Sequence, residues 1–145
     1  MAEMLSAPYA IEFTYTRSVG PVLERFFTSL GQRRIEGIVG ADGRVIVPPQ
    51  EYDPVTSQEL TEFRAVADEG VVTTWGWINE PLTAQPLQHP FAWALVQLDG
   101  ADVPFLHAVD AGDESKMSTG MRVKVRWAAE PVEDFGAIEC FEPVQ

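Results

Sequence analysis

The sequence has one cysteine, Cys140, two histidines, and no apolar run longer than Phe91–Val96. A single cysteine excludes an intrachain disulfide and the usual cysteine-rich zinc site. A run that short cannot cross a bilayer, which takes about 20 apolar residues. The first residues, 1–8, show no basic stretch followed by an apolar core, so no secretory leader is expected and the expected location is the cytoplasm. Basic residues are scarce and unevenly placed. Residues 1–44 balance, residues 45–115 hold Arg64 against twelve acidic residues, and the formal net charge is −12. A field of that sign repels phosphate backbones, so nucleic acid is not expected as a partner. GxSxG, P-loop and GxGxxG motifs are absent.

What is present is enough for one self-sufficient fold. The chain has 145 residues, of which 46% are hydrophobic and 10% aromatic. A chain of this length buries roughly 70% of its unfolded surface and can hold together on a core alone. Tyr9, Ile11, Phe13 and Tyr15 alternate with Ala10, Glu12, Thr14 and Thr16, the period of an extended segment. Ser18 as N-cap, Pro21 in the first turn and Val22, Leu23, Phe26, Phe27 and Leu30 at helical spacing predict a helix over 19–30, ended by Gly31. A β-hairpin is expected from 34–39 to 45–47, turning at Asp42-Gly43. Turn residues then separate a series of strands. Those at 71–79, 91–98, 102–110, 121–128 and 136–141, with a short helix at 113–118, give the element order of an OB-fold, a small Greek-key barrel. Residues 63–67 are expected to form a further strand leading into the first of these.

The expected fold is therefore mainly β: a five-stranded OB-fold barrel over 62–145, preceded by an extended segment, a helix and a hairpin over 1–61. With this order in hand, the sequence resembles the zinc-ribbon/OB-fold proteins that accompany thiolase-superfamily enzymes in acyl-CoA metabolism. The resemblance rests on Arg25-Phe26-Phe27 with Leu30, Val47-Pro48-Pro49, the segment from Pro90 to Gly100, His107-Ala108-Val109, Thr119-Gly120-Met121-Arg122-Val123 and Phe141-Glu142-Pro143. It implies a non-catalytic accessory subunit of a thiolase-like or aldolase enzyme acting on acyl-CoA thioesters, steroid-CoA among them. That subunit would support assembly and substrate access within a hetero-oligomer. The family usually carries two CxxC pairs for one zinc. The corresponding positions here are Gly37 and Gly40, then Asp53 and Thr56, so the ribbon is expected to be degenerate and metal-free, without a cofactor. A stand-alone OB-fold module binding acyl-CoA or another small ligand is the alternative.

No residue is expected to be catalytic. Cys140 lies in an apolar strand, and His107 reads as a core or rim histidine with one hydrogen bond. Tyr15, Arg17, Leu23, Phe26, Phe27 and Leu30 are the expected partner interface, because aromatic residues edged by arginine suit interface hot spots. Arg33, Arg34 and Arg44 are weaker candidates to meet the phosphates of coenzyme A. Since no Cys or His lies between Arg33 and Thr56, metal analysis of the purified protein should find no structural zinc. Near-stoichiometric zinc that resists dialysis would overturn this reading of the ribbon.

Overall fold

The computed structural model describes residues 6–144. Residues 1–5 and 145, which include part of the segment judged for a leader, lie outside the described residues. Residues 6–20 carry no regular secondary structure and lead into helix α1, Pro21–Gly31. Gly20, not Ser18, holds the N-cap, and Pro21 occupies the first turn where its missing N–H costs nothing. Ser18 Oγ accepts instead from the Gly20 N–H at 3.3 Å. The helix also ends later than its sequence suggests. The left-handed residue is Arg33, φ 57°, and the N–H groups of Arg33 and Arg34 donate to the Leu30 and Ser29 carbonyls at 2.8 and 2.9 Å. Gly31 serves a different need. A Cβ there would come within 2.9 Å of Glu133 Cγ, so its hydrogen lets the 132–133 loop pass close to the helix.

The stripe read from the sequence splits on folding. Phe26 and Leu30 are fully buried with Val72, Val96, Phe105 and Phe141 of the barrel. Each such burial is worth about 1.5–3 kcal/mol. They are core residues with no surface left for a partner, which corrects their expected interface role.

Strands β1 (Ile35–Val39), β2 (Val45–Ile46) and β3 (Phe63–Val66) form a three-stranded sheet in the order β2-β1-β3. Here β3, which the sequence places at the head of the barrel segment, pairs with β1 from Ile35–Val66 to Ile38–Phe63. The boundary between residues 61 and 62 thus separates strands that hydrogen-bond to each other.

The barrel is closed by β4 (Glu69–Ile78), β5 (Phe91–Leu98), β6 (Phe105–Val109), β7 (Arg122–Trp127) and β8 (Ile138–Pro143), in the order β4-β5-β6-β8-β7. This is the OB-fold arrangement, with β6 and β8 meeting in parallel at Val109 and Phe141. At Gly70, where β4 pairs with both β5 and β7, a Cβ would lie 2.8 Å from the Leu98 Cα, so closure at that point needs glycine. The expected helix at 113–118 is a 3-10 turn, Glu114–Lys116, capped by Asp113. A second 3-10 turn, Phe135–Ala137, replaces the start of the last strand, because the Asp134 side chain accepts from Gly136 N at 2.7 Å. Among the described residues no helix is long and apolar enough to cross a membrane.

The ribbon is held by a carboxylate. Asp53 is buried, and its Oδ2 accepts from Ala41 N at 2.9 Å while Oδ1 accepts from Val55 N at 2.9 Å and Thr56 N at 2.8 Å. One side chain therefore ties the hairpin turn to the following loop. The N–H groups of Thr56, Ala41 and Val55 hold its carboxyl down to about 2. The positions where the sequence resemblance implies thiolates, 37, 40, 53 and 56, do not fit a zinc ion. A Cβ at Gly37 would strike Val45 and the Ile46 carbonyl, and the Asp53 oxygens already accept three hydrogen bonds. We expect Asp53→Ala to lower the melting temperature by several degrees and Asp53→Asn by less, with added zinc restoring neither. The wild-type contribution of Asp53 is complete above pH 3.8 and is lost as the pH falls towards 2, since the folded value lies below the unfolded one. Equal melting curves for wild type and Asp53→Ala would refute the clamp.

Candidate functional site

The expected interface residues are not presented together. On the segment before α1, Tyr15 is 82% exposed, as are Tyr9 at 86% and Phe13 at 83%. Arg17 is exposed too. These side chains project as an arm exposed along its length, and at its root Arg17–Gly20 face Leu23, Pro49 and Glu51. Leu23 and Phe27 are half-buried against the core, and Phe27 meets Phe135 edge-on at 5.1 Å.

The three arginines weighed for coenzyme A are also separated. Arg34 flanks the start of β1 and reaches Glu36 at 3.4 Å. Arg44 adjoins Val45, which pairs with Val39 at the far end of β1, and it is bound to Asp42 at 2.6 Å. A strand of that length sets them about 15 Å apart. Arg33 reaches the Ala128 carbonyl. No common phosphate site forms. The basic face of β7 is likewise neutralised from within. Arg122 pairs with Asp99 at 2.6 Å and Glu69 at 3.3 Å, Lys124 with Glu142 at 3.7 Å, and Arg126 with Glu139 at 2.7 Å and Asp110 at 3.0 Å. These cations are already matched by carboxylates and offer little to a nucleic acid.

Cys140 is fully buried, and burial pushes its thiol up to about 12. A thiol held neutral in this way is a poor nucleophile. Among the described residues no group of three or more metal-ligating side chains assembles.

A cleft of about 640 Å³ opens where the ribbon end, the 80–90 loop, β5, β6 and the 3-10 turn before β8 converge. Pro48, Trp93, Phe105 and Phe135 line it, with His107 among them and Glu139 at one side. Phe105 and Phe135 stack at 6.5 Å, and Phe105 lies 5.7 Å from the His107 ring. His107 is 9% exposed, and its Nδ1 is buried without a hydrogen-bond partner. The one hydrogen bond expected of it from sequence is not made there. Burial drives the imidazole down to about 4, with the Ala108 backbone opposing slightly. No local signal marks this cleft, because its walls come from residues between 48 and 139 in sequence.

Residues 63–128 match the family model described as the ChsH2 C-terminal OB-fold domain. The barrel segment is thus similar in sequence to that OB-fold domain. The match runs from β3 through β7 and stops before β8. Solved structures extend the likeness of the ChsH2-type barrel to the ribbon and helix. A DUF35-family protein of unknown function from Sulfolobus solfataricus is 20% identical with a TM-score of 0.65, over 87% of this chain and 85% of that one. A chain of an Ltp2-ChsH2(DUF35) aldolase is 19% identical with a TM-score of 0.63, over 88% of this chain and 98% of that one. At these identities the likeness is one of fold. No curated protein matches by sequence.

His107 makes acid stability a test of the cleft's dryness. Its ordinary value is 6.5 and its folded value is about 4. The unfolded chain therefore takes up a proton across that range that the folded chain does not. Stability is whole above pH 6.5 and falls by about 3 kcal/mol as the pH reaches 4. Urea melts of wild type and His107→Leu across this range should diverge by that amount, the variant losing less. Parallel curves would show that the ring is solvated.

Proposed function

We propose that this chain is the accessory, non-catalytic subunit of a thiolase-superfamily enzyme, thiolase or aldolase, acting on acyl-CoA thioesters. The observation that carries the reading is the arm: Tyr9, Ile11, Phe13 and Tyr15, exposed by 64–86%, on a barrel of the ChsH2 type. An apolar strip of this kind in water favours association. Tyrosine and phenylalanine on a segment of period two suit insertion along a partner's surface. The neighbour of the same fold in the Ltp2-ChsH2 aldolase supports an enzyme as that partner. The chain's own chemistry supports a non-catalytic part, since its thiol is buried and the buried Nδ1 of His107 is hydrogen-bonded to no other group.

In this reading the arm, with Arg17 and the exposed edges of Leu23 and Phe27, meets the partner. Pro49 at the arm's root adjoins Pro48 in the cleft wall, so a subunit seated on the arm lies beside the cleft. The separated arginines give no support to direct capture of coenzyme A by this chain alone, so acyl-CoA is met through the complex. The alternative, a small-ligand module working alone, is favoured by the cleft, which needs no second subunit.

Co-expression with a thiolase-superfamily enzyme tests the reading. A Phe13→Ser/Tyr15→Ser variant should keep the wild-type melting temperature, because both side chains are exposed, and bind the partner at least tenfold more weakly. The purified chain should turn over no acyl-CoA. A wild-type chain that stays monomeric beside such enzymes, or that cleaves acyl-CoA itself, would sink the proposal.

A further inference from the structure

We propose that the cleft walled by Pro48, Trp93, Phe105 and Phe135 is a binding site for an uncharged ring compound, alicyclic or aromatic, whose one hydrogen-bonding oxygen meets His107. A volume of about 640 Å³ falls within the range of small-molecule sites. The walls are aromatic rings and prolines, flat surfaces that complement a flat, stiff ligand better than a floppy chain. Charge selects further. No basic residue lines the cleft, and the charged lining residue is Glu139, held by Arg126 at 2.7 Å. A phosphate or carboxylate would find no cation there and one carboxylate against it. The coenzyme A end of a thioester is thereby excluded, and a neutral body is admitted.

His107 supplies the polar contact. Burying an imidazole with Nδ1 unpaired costs stability that a leucine at the same position would not. Nδ1 is sealed from the cleft, so a ligand oxygen there meets the ring at its other nitrogen, Nε2. The buried ring and the apolar walls are held by the fold itself. Phe105, His107 and Phe141 pack as one cluster, with His107 and Phe141 at 5.8 Å. The cleft is complete in the single chain, so this inference stands apart from the partner subunit proposed above.

Calorimetric titration and NMR shift mapping of the full chain test it, with four probes. 2-Decalone and 2-naphthol are neutral ring compounds with one oxygen, 2-naphthoate is a charged ring, and 1-octanol is a neutral chain. Saturable binding of the two neutral ring compounds is expected, with shifts centred on Trp93, Leu106 and His107. Binding of 2-naphthoate and 1-octanol should be at least tenfold weaker. His107→Leu should keep the fold and weaken both neutral ring probes by about tenfold through the lost hydrogen bond. Leu106 is 59% exposed at the rim. Leu106→Glu leaves the core untouched and should abolish binding by adding a second carboxylate. No saturable binding of either neutral ring probe would overturn the proposal. So would equal affinity for 2-naphthoate, or affinities unchanged in both variants. Failure of this test leaves co-purification with a partner enzyme unaffected, so the two proposals fall separately.

Discussion

Glu36 is where the pieces of this molecule are joined. Its carboxylate is buried on β1, yet it accepts from Ser29 Oγ at 2.6 Å and from Arg25 Nε and Nη2 at 3.2 and 3.1 Å. The Arg25 guanidinium in turn lies 4.0 Å over the Phe63 ring of β3. Helix, hairpin and third ribbon strand therefore share one charge-assisted cluster. Those donors hold the Glu36 carboxyl below its usual range against the cost of burial. Removing one of these donors leaves the buried carboxylate short of a partner, which destabilises the joint between α1 and β1. With α1 pinned to β1, Phe26 and Leu30 are aimed into the barrel, and Phe26 and Phe27 support Phe135 at 5.9 and 5.1 Å. The position of Phe135 then sets one wall of the cleft, and the start of α1 sets where the arm leaves the domain.

Where the sequence resemblance implies a metal, the ribbon is ordered by hydrogen bonds. A zinc ion draws ligands from two loop segments to one point. Asp53 does the same by accepting N–H groups from Ala41 on one side and from Val55 and Thr56 on the other. The ionised carboxylate is the better acceptor, which is why its proton is lost at lower pH than usual. The exchange also explains the glycines at 37 and 40. Gly37 sits where a side chain would collide with β2, and a Cβ at Gly40 would lie 3.3 Å from Asp53 Oδ2.

Charge is spent inside the chain more than at its surface sites. The cations of β7 each face carboxylates from neighbouring strands, Arg44 is paired within its own turn, and Arg34 serves Glu36. What remains unmatched is apolar: an exposed arm and an apolar cleft. The two features ask for different things, a protein surface for the first and a neutral small molecule for the second. Pro48 lines the cleft and Pro49 the root of the arm.

The sequence by itself determined the local elements. The apolar run within Phe91–Leu98, the period of two in Arg122–Trp127, the Asp42-Gly43 turn and the regular turn signals specify the strands and their order, because each depends on neighbours in the chain. The lack of thiolates in the ribbon and the buried, inert setting of Cys140 were legible in the same way. Which surface each apolar face meets was not. The stripe of α1 looks uniform in sequence, but Phe26 and Leu30 enter the core while the arm before them stays in water. The pairing of β3 with β1, the acceptor role of Asp53 and the cleft around His107 were also decided only by tertiary structure. Each joins residues far apart in the chain, and periodicity records that a face is apolar without recording what will cover it.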